Sequence, residues 1–125
     1  MARFYEDVWN RWDDVALVEV VAEEFDFRGS LGDETQGREG FRDYRDRLRA
    51  AAPDFRNEVI DLIAGTDRAA VRLRCTGHHR GLLLGLPPTG RAFSFSCAGF
   101  LTAAGGRLTS AWVVADLDDL RRQLR

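Results

Sequence analysis

The sequence predicts an α+β fold, with helices early in the chain packed in a curved antiparallel or mixed sheet built mostly by its second half. Three observations carry that prediction. Apolar residues recur at helical spacing as far as Ala51, and from Phe55 they recur at every second residue. Turn-forming segments, Gly65-Thr66-Asp67 and Ala103 to Gly106, then punctuate the second half at hairpin intervals.

The segment Arg3 to Trp12 places Phe4, Tyr5, Val8, Trp9 and Trp12 on one helical stripe. Asp13 or Asp14 can cap a second short helix running through Leu17, Val18 and Val21. Phe25 to Gly32 alternates briefly and breaks at glycines, which reads as a short strand and a loop. Glu39 to Ala51 is helical again, with Phe41, Tyr44 and Leu48 on one face and arginines over the rest, and Pro53 ends it. Strands follow over Phe55–Ala64, Arg68–His78, Arg91–Thr102 and Arg107–Asp116, and Leu117–Leu124 closes the chain as a helix. No repeat, linker or low-complexity segment interrupts the pattern, so residues 1–125 are expected to form a single domain. A curved sheet wrapped around amphipathic helices encloses a cone whose interior can serve as a pocket.

Composition narrows the function classes. A net charge of −2 argues against a nucleic-acid partner, which would call for a basic face. No apolar run approaches the roughly 20 residues that span a bilayer, and the N-terminus carries no signal-peptide core. The expectation is a cytoplasmic protein with no membrane partner. All 18 basic residues are arginine, so lysine Schiff-base chemistry and a phosphate-loop lysine are both excluded. Cys75 and Cys97 read as two buried reduced thiols, because a zinc site needs four ligands at recognisable spacing. No metal and no cofactor are expected.

The stretch TGHHRGLLLGLPPTGR, residues 76–91, holds both histidines. Its glycines and prolines are what a long connection between two strands requires. Leu82-Leu83-Leu84 is too apolar for an ordinary exposed loop, so it either closes over the pocket mouth or packs on another subunit. Adjacent residues of a strand face opposite ways, so only one of His78 and His79 can aim into the cone.

Three segments carry a family resemblance. They are His79-Arg80-Gly81 with Gly85-Leu86-Pro87-Pro88-Thr89-Gly90-Arg91, Trp112-Val113-Val114-Ala115-Asp116 with Leu120 and Gln123-Leu124, and Gly37-Arg38-Glu39-Gly40-Phe41. Over nearly the whole chain the sequence resembles the SnoaL-like polyketide cyclases, often called ester cyclases, within the cone-shaped fold of nuclear transport factor 2 and ketosteroid isomerase. The resemblance implies a cofactor-independent cyclase of secondary metabolism closing rings by intramolecular aldol chemistry. The same family includes hydroxylases, so fold alone does not decide the reaction.

Asp116 matches the family's acid/base aspartate. On a two-residue period it shares a face with Leu108, Ser110, Trp112 and Val114, where desolvation would raise its pKa towards neutrality. The same residue is also a favoured N-cap for the helix beginning at Leu117, and Asp118 and Asp119 suit that helix's first turn. His79 matches the family's histidine before the glycine and could polarise a substrate carbonyl, or simply bond to loop backbone. Substrate-binding candidates are Trp112 and Trp9 as aromatic walls, Arg28 for a carboxylate or oxyanion, and Tyr44 through its hydroxyl, each with core packing or a surface ion pair as the alternative. With no histidine after His79, any donor from the later strands would be Ser94, Ser96, Thr102 or Ser110.

The leading expectation is a cyclase or isomerase for a small hydrophobic polyketide ketone, with Asp116 as base and His79 holding the enolate. A hydroxylase or an epoxide hydrolase is the second, the latter needing Asp116 with Arg72 or Arg74 and Asp61 around one water. The third is a non-catalytic small-molecule-binding module. A homodimer through the outer sheet face, with Phe93, Phe95 and Val113 on it, is compatible with all three.

Overall fold

The computed structural model describes residues 2–125. Six strands form one curved mixed sheet in the order β2-β1-β6-β5-β4-β3, and the helices pack against its inner face. The chain opens with a π-helix, Phe4–Trp9, that buries Phe4, Tyr5, Val8 and Trp9. Two residues past its cap at Asn10, Trp12 takes a left-handed φ of 55° before the next helix begins. Helix α1 (Asp14–Val20) is capped by Asp13, whose carboxylate accepts from the Val15 and Ala16 amides at 2.9 and 3.0 Å.

Strand β1 (Val21–Arg28) starts four residues before the local alternation does, and it pairs in parallel with β6 (Arg107–Ala115). The short strand β2 (Glu34–Gln36) has no pattern of its own and exists only as the antiparallel partner of β1. Helix α2 (Gly37–Ala51), β3 (Arg56–Ala64), β4 (Arg68–His78), β5 (Ala92–Ala104) and α3 (Leu117–Leu124) follow the expected order closely. The sheet is mixed because only β1 runs parallel to its neighbour β6; the other pairings are antiparallel.

A net of aromatic rings fills the cone. Phe27 meets Phe41 edge-on at 4.8 Å and Tyr44 at 5.1 Å, and Trp9 meets Phe41 at 5.5 Å and Phe55 at 5.9 Å. Each such pair adds about 0.5–1.5 kcal/mol beyond the burial of its area.

Polar side chains close the sheet's open backbone edges. Asn10 donates to the Asn57 carbonyl (2.8 Å) and accepts from its amide (2.7 Å), covering the free edge of β3. Gln123 does the same for Ser94 beyond the end of β6, at 2.8 and 2.9 Å, which explains the Gln-Leu pair near the C-terminus. Arg38 of the Gly-Arg-Glu-Gly-Phe segment donates twice to the Val21 carbonyl. No helix among the described residues is long and apolar enough to cross a membrane.

One bulge changes which side of β6 faces inward. Thr102 pairs with Ser110 but Ala103 pairs with Leu108, so Thr109 is an extra residue. Leu108 is buried, and beyond the bulge the buried residues are Ala111 and Val113. Trp112 and Val114 therefore stand on the outer face, and Trp112 is 47% exposed. Phe93, Phe95 and Val113, expected outside, are buried in the core. The exposed apolar residues of the strands are instead Ile60, Ile63, Phe100, Trp112 and Val114.

Asp54 ties the start of the long connection to the end of α2. It accepts from the His78 amide at 2.9 Å and meets His78 Nδ1 at 2.6 Å. The His78 hydrogen bond holds the Asp54 carboxyl below its ordinary 3.8. A depressed carboxyl contributes stability that is present above its unfolded-state pKa and is lost as pH falls through the lowered folded-state value. Asp54→Asn is accordingly expected to flatten the loss of stability below about pH 4, read from urea melts across pH. The effect should be small, since both partners are about half exposed.

Candidate active site

The site is built where the C-terminal half of α2 meets two loops. Gly29 begins the β1–β2 turn, and a Cβ there would lie 2.3 Å from the Tyr44 ring. Only glycine leaves that ring room to reach the turn. The Tyr44 hydroxyl oxygen accepts from the Leu31 amide at 3.3 Å, which leaves its own O–H free to donate. Burial pushes the Tyr44 phenol above its ordinary pKa, so it is a neutral donor across the physiological range.

The second loop is the connection 80–91. Arg80 and Gly81 both donate to the Ala51 carbonyl, at 2.8 and 2.9 Å, and cap α2. A Cβ on Gly81 would meet the Ala50 carbonyl oxygen at 2.7 Å, so this close approach also demands glycine. Leu84 and Gly85 turn the chain back with φ of 52° and 74°. Leu83 is buried in the core and Leu84 packs against it, while Leu82 stays exposed where it lines the cavity.

Between these parts lies a cavity of about 430 Å³. Leu31, Leu48, Leu82, Leu83 and Leu84 make its apolar wall, and Tyr44, Asp33 and Arg47 supply the polar groups. Asp33 is the one carboxylate of the lining, and Arg47 stands 3.4 Å from it. A separate, smaller hollow of about 20 Å³ adjoins it, and Tyr44 and Leu48 line both. Trp9, Phe27 and Phe55 wall it, together with Asn57, Cys75 and Cys97. A wider trough of about 830 Å³ lies along Glu23, Glu24 and Asp26. An apolar ketone would gain little against those carboxylates.

The structure brings Tyr44 and Trp9 to these hollows and leaves the other sequence candidates outside them. Asp116 is exposed and N-caps α3, accepting from the Asp119 amide at 3.1 Å. The alternation that placed it inside fails at the Thr109 bulge, and the premise of desolvation fails with it. Trp112 falls outside for the same reason. Arg28 lies under it as a cation–π partner at 4.9 Å and donates to the Val113 carbonyl at 2.6 Å, so its charge is spent within the sheet.

His79 is fully buried, and both ring nitrogens are engaged. Nδ1 accepts from the Thr89 amide at 3.3 Å, which sets the tautomer in which Nε2–H donates to the Leu86 carbonyl at 3.2 Å. With its own backbone bonded to Gly90 and Arg91, His79 pins the whole connection rather than facing the cavity. Asp61, Arg72 and Arg74 point outward from the sheet and are exposed, so no water-holding Asp-Arg-Asp cluster forms.

Cys75 and Cys97 are buried free thiols, as the sequence suggests, with sulfurs 2.9 Å apart. The Cys97 hydrogen bond and burial push the Cys75 thiol well above its ordinary pKa. Among the described residues no group of three or more His, Cys, Asp or Glu is gathered as a metal site. Asp33 and Asn57 escape a reading of the sequence because a turn aspartate and a strand asparagine have ordinary structural explanations. Gly29 is the available signal, two residues after a Phe25-Asp26-Phe27 run that otherwise needs no glycine.

Residues 1–124 match the SnoaL-like polyketide cyclase family. Among solved structures, TsrD from Streptomyces laurentii is 27% identical with a TM-score of 0.87, over 99% of this chain and 90% of that one. IdmH from Streptomyces antibioticus, a candidate polyketide cyclase, is 26% identical with a TM-score of 0.85, over 98% and 94%. AclR from Streptomyces galilaeus, a candidate hydroxylase, is 26% identical with a TM-score of 0.78, over 94% and 77%. No curated protein matches the chain.

Proposed function

Because the chain belongs to the SnoaL-like polyketide cyclase family, we propose that it closes a ring in an apolar poly-ketone by cofactor-independent, aldol-type acid/base chemistry in the cavity beside α2. The observation that carries this reading is the pairing of one carboxylate, Asp33, with one neutral phenol, Tyr44, on an otherwise leucine-lined wall. A methylene flanked by two carbonyls is acidic enough for a single carboxylate to deprotonate once both are held in place. Asp33 takes that proton, and Tyr44 donates a hydrogen bond to the enolate oxygen as charge develops there. The enolate carbon attacks a second carbonyl of the same molecule. The new C–C bond leaves an alkoxide, which recovers the proton from Asp33. Arg47 holds Asp33 in position and balances its charge.

The test is incubation with a panel of aromatic poly-β-keto esters, followed by chromatography and mass spectrometry. Ring closure leaves the mass unchanged, or lowers it by one water after dehydration. A product heavier by one oxygen would instead favour the hydroxylase alternative, and no turnover together with tight binding would favour a binding module.

The outer sheet face supports a homodimer. Phe100 and Trp112 lie 6.1 Å apart on it, and the paired rows Glu58–Arg74 and Asp61–Arg72 beside them carry both signs of charge. An apolar centre flanked by mixed charge suits a two-fold contact between identical faces. Phe100→Glu is expected to halve the mass found by sedimentation equilibrium. An unchanged mass would remove this face from consideration.

A further inference from the structure

The smaller hollow holds a group that the fold does not need. Asn57 is 6% exposed and its amide nitrogen has no hydrogen-bond partner. The clamp from Asn10 engages only the backbone of residue 57, so any side chain there would keep it. A buried unpaired amide costs about 1–3 kcal/mol, and an aliphatic residue would avoid that cost.

The amide is also aimed. Cys97 can donate its S–H to Cys75, and the Cys75 S–H donates to Asn57 Oδ1 at 3.2 Å. With Oδ1 taken by the thiol, Nδ2 is the end that remains to serve the hollow. Trp9, Phe27 and Phe55 give that hollow flat aromatic walls. Its volume of about 20 Å³ accommodates one oxygen-sized group.

We infer that Asn57 is a specificity-determining residue: its Nδ2 donates to a carbonyl oxygen at the leading end of a flat, unsaturated ligand that enters past Tyr44 and Leu48. This rests on the reading of the larger cavity as the substrate site. A carbonyl suits the position because it accepts without bringing a proton that would need a partner of its own. Such a contact lies beyond Asp33 and the Tyr44 hydroxyl. It would select which end of a poly-ketone enters first, and so which methylene reaches the base.

The experiment compares 2-acetylnaphthalene with 2-isopropenylnaphthalene, in which a CH2 replaces the carbonyl oxygen, by isothermal titration calorimetry. The intact protein is expected to prefer the ketone by about tenfold, the size of one well-made hydrogen bond. Asn57→Leu should abolish that preference while the alkene still binds. Asn57→Asp keeps the shape, replaces the donor with an acceptor, and should turn the preference against the ketone. In NMR the ketone, but not the alkene, should shift the Asn57 side-chain amide resonance.

Equal affinity of the two ligands for the intact protein overturns the proposal and leaves the cavity reading standing. So does a ketone preference that survives both Asn57 substitutions, which would hand the oxygen to Tyr44. Binding of neither ligand would overturn the cavity reading and this inference together. The first comparison needs no variant, so misfolding of Asn57→Leu does not affect it.

Discussion

Asp33→Asn should lower kcat for ring closure by about 10²–10⁴-fold with KM little changed, the usual contribution of a positioned base. Its fold should be unaffected, because the lost ion pair with Arg47 is solvent-exposed. Tyr44→Phe should cost about 10²–10³-fold in kcat, since one donor to the developing enolate is removed. Gly29→Ala offers an independent check, because its Cβ would displace the Tyr44 ring without deleting the hydroxyl. Asp116→Asn keeps a capping side chain and tests the other assignment of the base. Near-normal turnover in that variant, with loss in Asp33→Asn, assigns the proton to Asp33. The reverse pattern would return it to Asp116 and sink the Asp33–Tyr44 mechanism.

Arg45→Ala is expected to be the most destabilising single change, by about 2–4 kcal/mol, from lost packing and lost hydrogen bonds together. Arg45 is 2% exposed although it carries a charge. Its guanidinium donates to the Val8 carbonyl at 3.2 Å, to Asp14 at 2.6 Å and to Asp46 at 3.1 Å, joining α2 to the π-helix and α1. Urea unfolding measures the cost, and Tm should fall by roughly 8–16 °C. Asp14→Asn should cost less, because Asp46 still faces the guanidinium. A change under about 0.5 kcal/mol for Arg45→Ala would mean that the desolvation of the charge cancels its bonds.

Much of the fold is legible in the sequence because its signals are local. The limits of α3, the cap before it and the strand Arg68–His78 follow from spacing and turn residues within a few positions of each element. Strand β1 reads short and β2 does not read at all, because Val21 to Glu24 and Glu34 to Gln36 become strands only through β6 and β1 beside them. Of the site, Tyr44 is legible from its place on the inner stripe of α2. His79 stands out for its chemistry, but the structure uses it as a pin. A histidine in a motif and a histidine in a loop scaffold look alike until the partners of both nitrogens are known.

By itself the sequence determined the α+β class, the clustering of most strands in the second half, two buried thiols and a leucine-rich connection between two strands. Those properties depend on period, capping and composition, which act over a few residues. Only the tertiary structure decided which residues face the cavity. A single extra residue at Thr109, imposed by the pairing of β6 with β5, turned Trp112 outward. A missing Cβ at Gly29 let Tyr44 in. Side-chain direction in a strand changes sign with every residue, so one bulge set by a neighbouring strand outweighs any local pattern.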